Sequence, residues 1–189
     1  MPKRQPALPH IWLVSDARND AALDSVLERL PRGSGLIFRH YHLPPGERRV
    51  RFAELVRIAR RRRHAVALSA EVATVRRWGA SAAYGAPSQL ARGAPMLRLV
   101  SVHSLREIAM AHRARADAIL LSPAFATRSH AERAALGPLR FRLVAARALV
   151  PVIALGGMTA RRARRLGSAR WAAIDGLCGE SKRSISKLS

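Results

Sequence analysis

Eight short segments rich in apolar or β-branched residues alternate with amphipathic helical stretches along 189 residues, with little linker between them. Each strand candidate is apolar on both faces, the mark of a parallel sheet buried on both sides. The repeated alternation closes such a sheet on itself, so the sequence predicts an α/β fold, a single (β/α)8 TIM barrel with short loops spanning 1–189. About 250 residues is usual for that fold, so the loops must be minimal and the last helix incomplete, with 178–189 a frayed tail. The competing open doubly wound sheet would carry a glycine-rich first turn. Residues 15–18 read Ser-Asp-Ala-Arg instead.

The first strand is predicted at 11–15 and the first helix at 21–30, where Leu23, Val26, Leu27 and Leu30 share a face before Pro31 and Gly33 end it. A second strand at 36–39 leads into a loop at 42–46 with Pro44 and Pro45. The helix after it places Phe52, Leu55, Val56 and Ala59 at helical spacing and ends in an exposed arginine run at 60–63, where cations oppose the negative end of the helix dipole. A third strand (65–69), a short helix (72–78) closed by Gly79 and a small-residue fourth strand (81–84) follow. The helix after that strand is the weakest unit. The fifth strand (97–100) precedes a helix that Ser104 caps, with Glu107 at capping-box spacing and Leu105, Ile108, Ala109 and His112 on its face. A sixth strand (118–121), a long loop, a helix (139–149), a seventh strand (151–155), a helix (160–166) and an eighth strand (171–174) complete the series.

Hydrophobic residues make up 49% of the chain, enough for a substantial core. Against 12 Asp+Glu stand 34 Lys+Arg, for a net charge of +22, and all the cations but Lys3, Lys182 and Lys187 are arginine. GC-rich coding produces that skew without a ligand. Arginine also grips phosphate, but no nucleic-acid module is recognisable, so a solvated basic surface is the favoured reading and a nucleic-acid partner ranks last. No apolar run approaches the ~20 residues of a membrane span, and the N-terminus lacks a secretory pattern. No membrane partner and a cytoplasmic location are expected. The single Cys178 cannot form an internal disulfide and has no Cys or His neighbour at metal-ligand spacing.

In a barrel the chemistry sits at the C-terminal ends of the strands. Those ends carry Asp16, Arg39, His40, Ser69, Glu71, Ser101, His103, Ser122, Thr127, Ser129, His130, Gly156, Gly157 and Asp175, with Ile174 closing the eighth strand. Gly156-Gly157 lets backbone approach a ligand closely where barrels commonly bind phosphate, and is equally an ordinary tight turn. His103 can relay protons near neutral pH, although a lone His is more often structural.

These residues resemble the thiamine phosphate synthase/TenI family over about 8–174. The resemblance rests on Val-Ser-Val-His-Ser-Leu-Arg-Glu (100–107), Leu-Ser-Pro-Ala-Phe-Ala-Thr-Arg-Ser-His (121–130), Ala-Leu-Gly (135–137) and Pro-Val-Ile-Ala-Leu-Gly-Gly-Met-Thr (151–159), with weaker pieces at 11–16 and 38–40. It implies a (β/α)8 barrel and one of two chemistries. The synthase joins an aminopyrimidine pyrophosphate to a thiazole phosphate with Mg²⁺ assistance. Its metal carboxylates would fall at Ala70, beside Ser69, and near Ser88, where segment 85–90 holds no acid. Of its phosphate-gripping cations Arg39 is kept, while Tyr41 and His130 stand where lysines are expected. The thiazole-phosphate half is better preserved: Thr127, Ser129 and Gly157 match phosphate contacts and Ser101 a pyrimidine contact, although Asp175 replaces a phosphate-binding Ser.

The second chemistry, thiazole tautomerisation, moves a proton within a thiazole carboxylate phosphate and uses no metal. His103 matches the His of that branch. The resemblance therefore implies a thiazole phosphate-binding protein of thiamine biosynthesis. The favoured reading is a metal-independent tautomerase with His103 as acid/base and Arg39, Ser69, Ser101, Thr127, Ser129, His130, Gly156, Gly157 and Ile174 around the substrate. Thiamine phosphate synthase is the alternative and a noncatalytic paralogue the further one. No cofactor is expected, and Mg²⁺ only on the synthase reading. The partners implied are thiazole phosphate, aminopyrimidine pyrophosphate on the synthase reading, and a second copy in a homodimer.

Overall fold

Eight parallel strands close into a barrel in sequence order, β1 (Ile11–Val14), β2 (Gly35–Phe38), β3 (Ala65–Ser69), β4 (Ala82–Gly85), β5 (Leu97–Val102), β6 (Ala118–Leu121), β7 (Val152–Ala154) and β8 (Trp171–Ala173), with β8 pairing back onto β1. The structure, a computed structural model, describes residues 8–130 and 134–179, with only the backbone of His130. Around the strands lie α1 (Asp20–Arg29), α2 (Pro45–Arg61), α3 (Val72–Trp78), the single turn α4 (Pro87–Leu90), α5 (Leu105–Arg113), α6 (Gly137–Ala145) and α7 (Ala160–Leu166). After β8 the described chain makes a turn whose Leu177 is fully buried in the outer core. The expected tail from 178 lies outside the described residues beyond 179. No described helix is long and apolar enough to cross a membrane.

Alternation along each strand sorts side chains into two cores. Trp12, Val14, Ile37, Tyr84, Leu99, Leu120 and Ile153 fill the barrel interior, while Ile11, Leu13, Leu36 and Phe38 face the helices. The interior closes because large and small residues offset one another. Trp12 is wholly buried and its register partner is Gly35, where a Cβ would lie 2.1 Å from the indole. Ala67, Ala82, Ala118 and Ala172 complete the interior.

Several boundaries differ from the sequence expectations for local reasons. Helix α2 starts at Pro45, inside the stretch expected as loop, because proline at the first helical position gives up an N–H that has no partner there anyway. The arginine run after it is not uniformly exposed: Arg62 turns back and donates Nη2 to the Leu30 carbonyl at 3.0 Å. The buried face of α5 is Ile108 and Ala111, whereas Leu105 and Ala109 are exposed. Helix α6 begins and ends earlier than expected, and bonds from Arg147 and Ala148 to Val144 and Ala145 continue it only as turns. Strand β5 runs on to Val102, so Ser101 is held in the sheet.

Candidate active site

At the C-terminal end of the barrel a cavity opens between the ends of β2, β4, β5, β6, β7 and β8. Arg39, Ser101, His103, Thr127, Ser129, Gly156 and Ile174 line it together, with Tyr84, Ser122 and Asp175 between them. Two expected members lie elsewhere. The Ser69 hydroxyl is bonded to the Tyr41 phenol at 2.5 Å, and Gly157 turns its carbonyl outward to the guanidinium of Arg162, which also stacks over Phe125. The His130 side chain lies outside the described residues.

His103 follows β5 directly and is fixed from both sides. Its backbone N–H donates to Glu107 Oε2 at 2.8 Å, while Ser104 Oγ accepts from Glu107 N, so the capping residues of α5 also hold the histidine. Its Nδ1 lies 2.9 Å from the Ser122 carbonyl and 3.1 Å from Ser122 Oγ. A carbonyl only accepts, so Nδ1 carries the proton and Nε2 is the basic nitrogen of the neutral ring.

The β6–α6 loop reaches the cavity because it is laced to the end of β7. Ala124 N donates to Leu155 O at 2.8 Å and Phe125 N to Gly156 O at 3.1 Å. Gly156 has φ +94°, and a Cβ there would lie 2.7 Å from Pro123 Cα. Only glycine brings the two backbones this close, which sets Thr127 and Ser129 against the same cavity. Tyr84 sits beneath them in the interior. Burial pushes its phenol up and Tyr41 adds to this, against the charge of Arg39 and a hydrogen bond with Ser101, so it stays protonated.

Cations and carboxylates alternate across the mouth. Arg39 Nη2 meets Asp16 Oδ2 at 2.6 Å, and Arg18 Nε meets Asp16 Oδ1 at 2.9 Å. Arg18 also donates Nη2 to Ser129 Oγ at 2.7 Å. Asp175, the position where the resemblance expects serine, is paired: Oδ2 lies 3.1 Å from Arg128 Nη2 and 3.5 Å from Arg18 Nη1. Burial raises the Asp16 carboxyl, but hydrogen bonds from Arg18 and the charges of Arg18 and Arg39 outweigh it and hold the group below its usual range.

A Ser-His-Asp arrangement lies just behind this mouth. His40 Nδ1 is 2.8 Å from Ser15 Oγ and Nε2 is 2.9 Å from Asp20 Oδ1. Ser15 and His40 are both fully buried, and Ser15 Oγ also accepts from Arg39 N at 2.8 Å. The group is a brace that fixes the backbone of Arg39, not a nucleophile within reach of a ligand. Sequence reasoning passed over Arg18 and Arg128, which are single cations among many. The signal for Arg18 was present in Asp-Ala-Arg-Asn (16–19), where Asp16 caps a short 3-10 turn with Asn19 reciprocating.

These residues do not fit a carboxylate-held Mg²⁺. Among the described residues no three His, Cys, Asp or Glu side chains are grouped to hold an ion, and Asp16 and Asp175 both accept from arginine.

A profile of the thiamine monophosphate synthase family (TMP-TENI) matches residues 11–177. The fold is similar to a thiamine phosphate pyrophosphorylase from Pyrococcus furiosus, at 20% identity and a TM-score of 0.78, covering 94% of each chain. It is also similar to a thiamine phosphate pyrophosphorylase from Bacteroides thetaiotaomicron, at 14% identity and a TM-score of 0.64, covering 96% of this chain and 97% of that one. FabK from Thermotoga maritima matches at 16% identity and a TM-score of 0.68, covering 92% of this chain and 60% of its own. No curated protein matches the chain significantly in sequence.

Proposed function

The chain belongs to the thiamine monophosphate synthase family, and from that premise we propose that it binds a thiazole phosphate in this cavity and interconverts its ring tautomers without a metal ion. The family's ligands are small-molecule substrates of thiamine synthesis. The observation that carries the reading is His103, whose Nδ1 on the Ser122 carbonyl makes Nε2 the base on the wall it shares with Ser101, Thr127, Ser129 and Gly156. A proton taken from one ring position onto Nε2 and returned from the imidazolium to another leaves the ligand's composition unchanged, so one oriented imidazole supplies the chemistry. The hydroxyls of Thr127 and Ser129 and the backbone beside Gly156 receive the phosphate, at the strand ends where barrels commonly bind it.

Incubation with a thiazole carboxylate phosphate in excess chelator should convert the isomer. His103→Ala should slow conversion by about 10²- to 10⁴-fold with a native circular dichroism spectrum. An unchanged rate removes His103 from the reaction, and no conversion by the wild type refutes tautomerisation. The family match and the retained Arg39 favour a second reading, thiamine phosphate synthesis. Thiamine phosphate formed from both substrates with Mg²⁺ would establish it in place of the first. Tight binding without turnover in either assay would identify a noncatalytic paralogue.

A further inference from the structure

Asp175 shares the cavity wall with Thr127, Ser129 and Gly156, and its carboxylate reaches two guanidinium groups there. Arg18 joins three segments of the mouth: Nε donates to Asp16 after β1, Nη2 to Ser129 in the β6–α6 loop, and Nη1 faces Asp175 after β8. Because Ser129 Oγ accepts from Arg18, its own O–H remains a donor. The two carboxylates differ in strength of attachment. Asp16 meets Arg39 at 2.6 Å with side chains 22% and 16% exposed, whereas Asp175 meets Arg128 at 3.1 Å with side chains 40% and 75% exposed. Exposed pairs contribute little and exchange readily. The Asp175 bridge therefore opens first when another anion arrives, and the Asp16 bridge stays to hold Arg39 and Arg18 in place.

We propose that Asp175 is a built-in competitor for the ligand phosphate: its carboxylate holds Arg18 and Arg128 beside Ser129, and a phosphate dianion binds by taking its place on those two groups. This rests on the reading of Thr127, Ser129 and Gly156 as the phosphate end of the cavity. Arg18, Arg39 and Arg128 against Asp16 and Asp175 leave this ion-pair cluster one positive charge in excess, and removing Asp175 makes it two. A phosphate then gains the two guanidinium groups without displacing anything and escapes repulsion from a carboxylate about 5 Å away, together about tenfold in affinity even with near-aqueous screening.

The test is calorimetric titration of wild type, Asp175→Asn and Asp175→Ser with inorganic phosphate and, separately, with thiazole phosphate at low salt. Both variants should bind inorganic phosphate about tenfold more tightly than wild type, and Arg128→Gln added to Asp175→Asn should cancel most of that gain. Unchanged or weaker phosphate binding in both variants, each with a native circular dichroism spectrum, overturns the proposal, as does failure of every form to bind phosphate. If the gain appears with inorganic phosphate but no form binds thiazole phosphate, the competitor role stands and the thiazole reading fails. Thiazole phosphate bound equally by all three forms, with no phosphate gain, keeps the thiazole reading and removes Asp175 from it.

Discussion

Replacing Gly156 by alanine tests the backbone approach that assembles the cavity. The residue has φ +94°, a conformation costing an L side chain about 1–3 kcal/mol. The added Cβ would also lie 2.7 Å from Pro123 Cα, 2.9 Å from Pro123 Cβ and 3.2 Å from Ala124 N. Those atoms cannot retreat freely, because Ala124 N and Phe125 N are bonded to Leu155 O and Gly156 O. Forcing them apart adds about 1–3 kcal/mol, the range for overpacking. Gly33→Ala isolates the backbone component, since Gly33 has φ +80° with nothing within 4 Å of its Cβ position. Urea unfolding followed by circular dichroism should show Gly156→Ala destabilised by about 2–6 kcal/mol in total, and by at least about 1 kcal/mol more than Gly33→Ala. The same change should weaken phosphate binding by moving Thr127 and Ser129. A stability within about 0.5 kcal/mol of Gly33→Ala would refute the packing argument.

Acid should destabilise the fold before any carboxylate titrates. Burial holds His40 and His64 below the usual value of 6.5, against hydrogen bonds to Asp20 and to the Leu27 carbonyl that act the other way. The unfolded chain then binds more protons just below pH 6.5, so stability falls from there down toward the folded values, by up to about 1.4 kcal/mol per histidine over the first unit. Unfolding free energies that are flat between pH 7.5 and 5.5 would contradict this. Trp12→Ala should cost about 3–5 kcal/mol, and Gly35→Ala should be far less damaging in that background than alone, since its Cβ meets the indole. A double-mutant cycle showing additivity would exclude the contact. Arg51→Ala should cost about 1–2 kcal/mol through lost hydrogen bonds to the Asp20 carboxylate and carbonyl, and Arg51→Lys should not restore it, because an ammonium cannot reproduce the fork. Full recovery in Arg51→Lys would reduce the contact to simple charge.

Periodicity made the barrel legible because its strands are short, apolar on both faces and separated by little else. Strand β3 and helices α3 and α7 run over the residues expected of them, each bounded by a clear local signal such as Gly79 after α3 or Thr159 capping α7. On α5 the expected Ile108 is buried, but its neighbour in the core is Ala111, while the larger Leu105 stands exposed. In the cavity, Ser101, His103 and Gly156 are carried by strand ends, and Thr127 and Ser129 reach it from the β6–α6 loop. Ser69 and Gly157 lie on the same strand ends but point into other partnerships, which depend on where Tyr41 and Arg162 fall. Arg18, Arg128 and the Ser15-His40-Asp20 brace depend on contacts across more than one strand, and no spacing along the chain announces those.

With 34 cations against 12 acids, a given arginine carries little information and a given acid carries a great deal. Four acids near the barrel mouth each hold a basic group or a backbone in place. Asp16 ties Arg39 to Arg18, Asp20 joins His40 to Arg51, Glu107 fixes the backbone of His103, and Asp175 spans Arg18 and Arg128. Away from the mouth Asp117 accepts from the backbone of Arg98 between neighbouring strands. Between residues 134 and 174 there are eight arginines and no acid. Helices α6 and α7 there present a basic outer surface, whose field attracts small anions over about a Debye length without selecting among them. Selection needs fixed geometry at short range, and in this chain geometry is imposed wherever one of the few carboxylates holds a guanidinium or an imidazole in place. At the cavity Asp16 and Asp175 do this, holding Arg18, Arg39 and Arg128, whereas the exposed arginines of α6 and α7 lie on the outside.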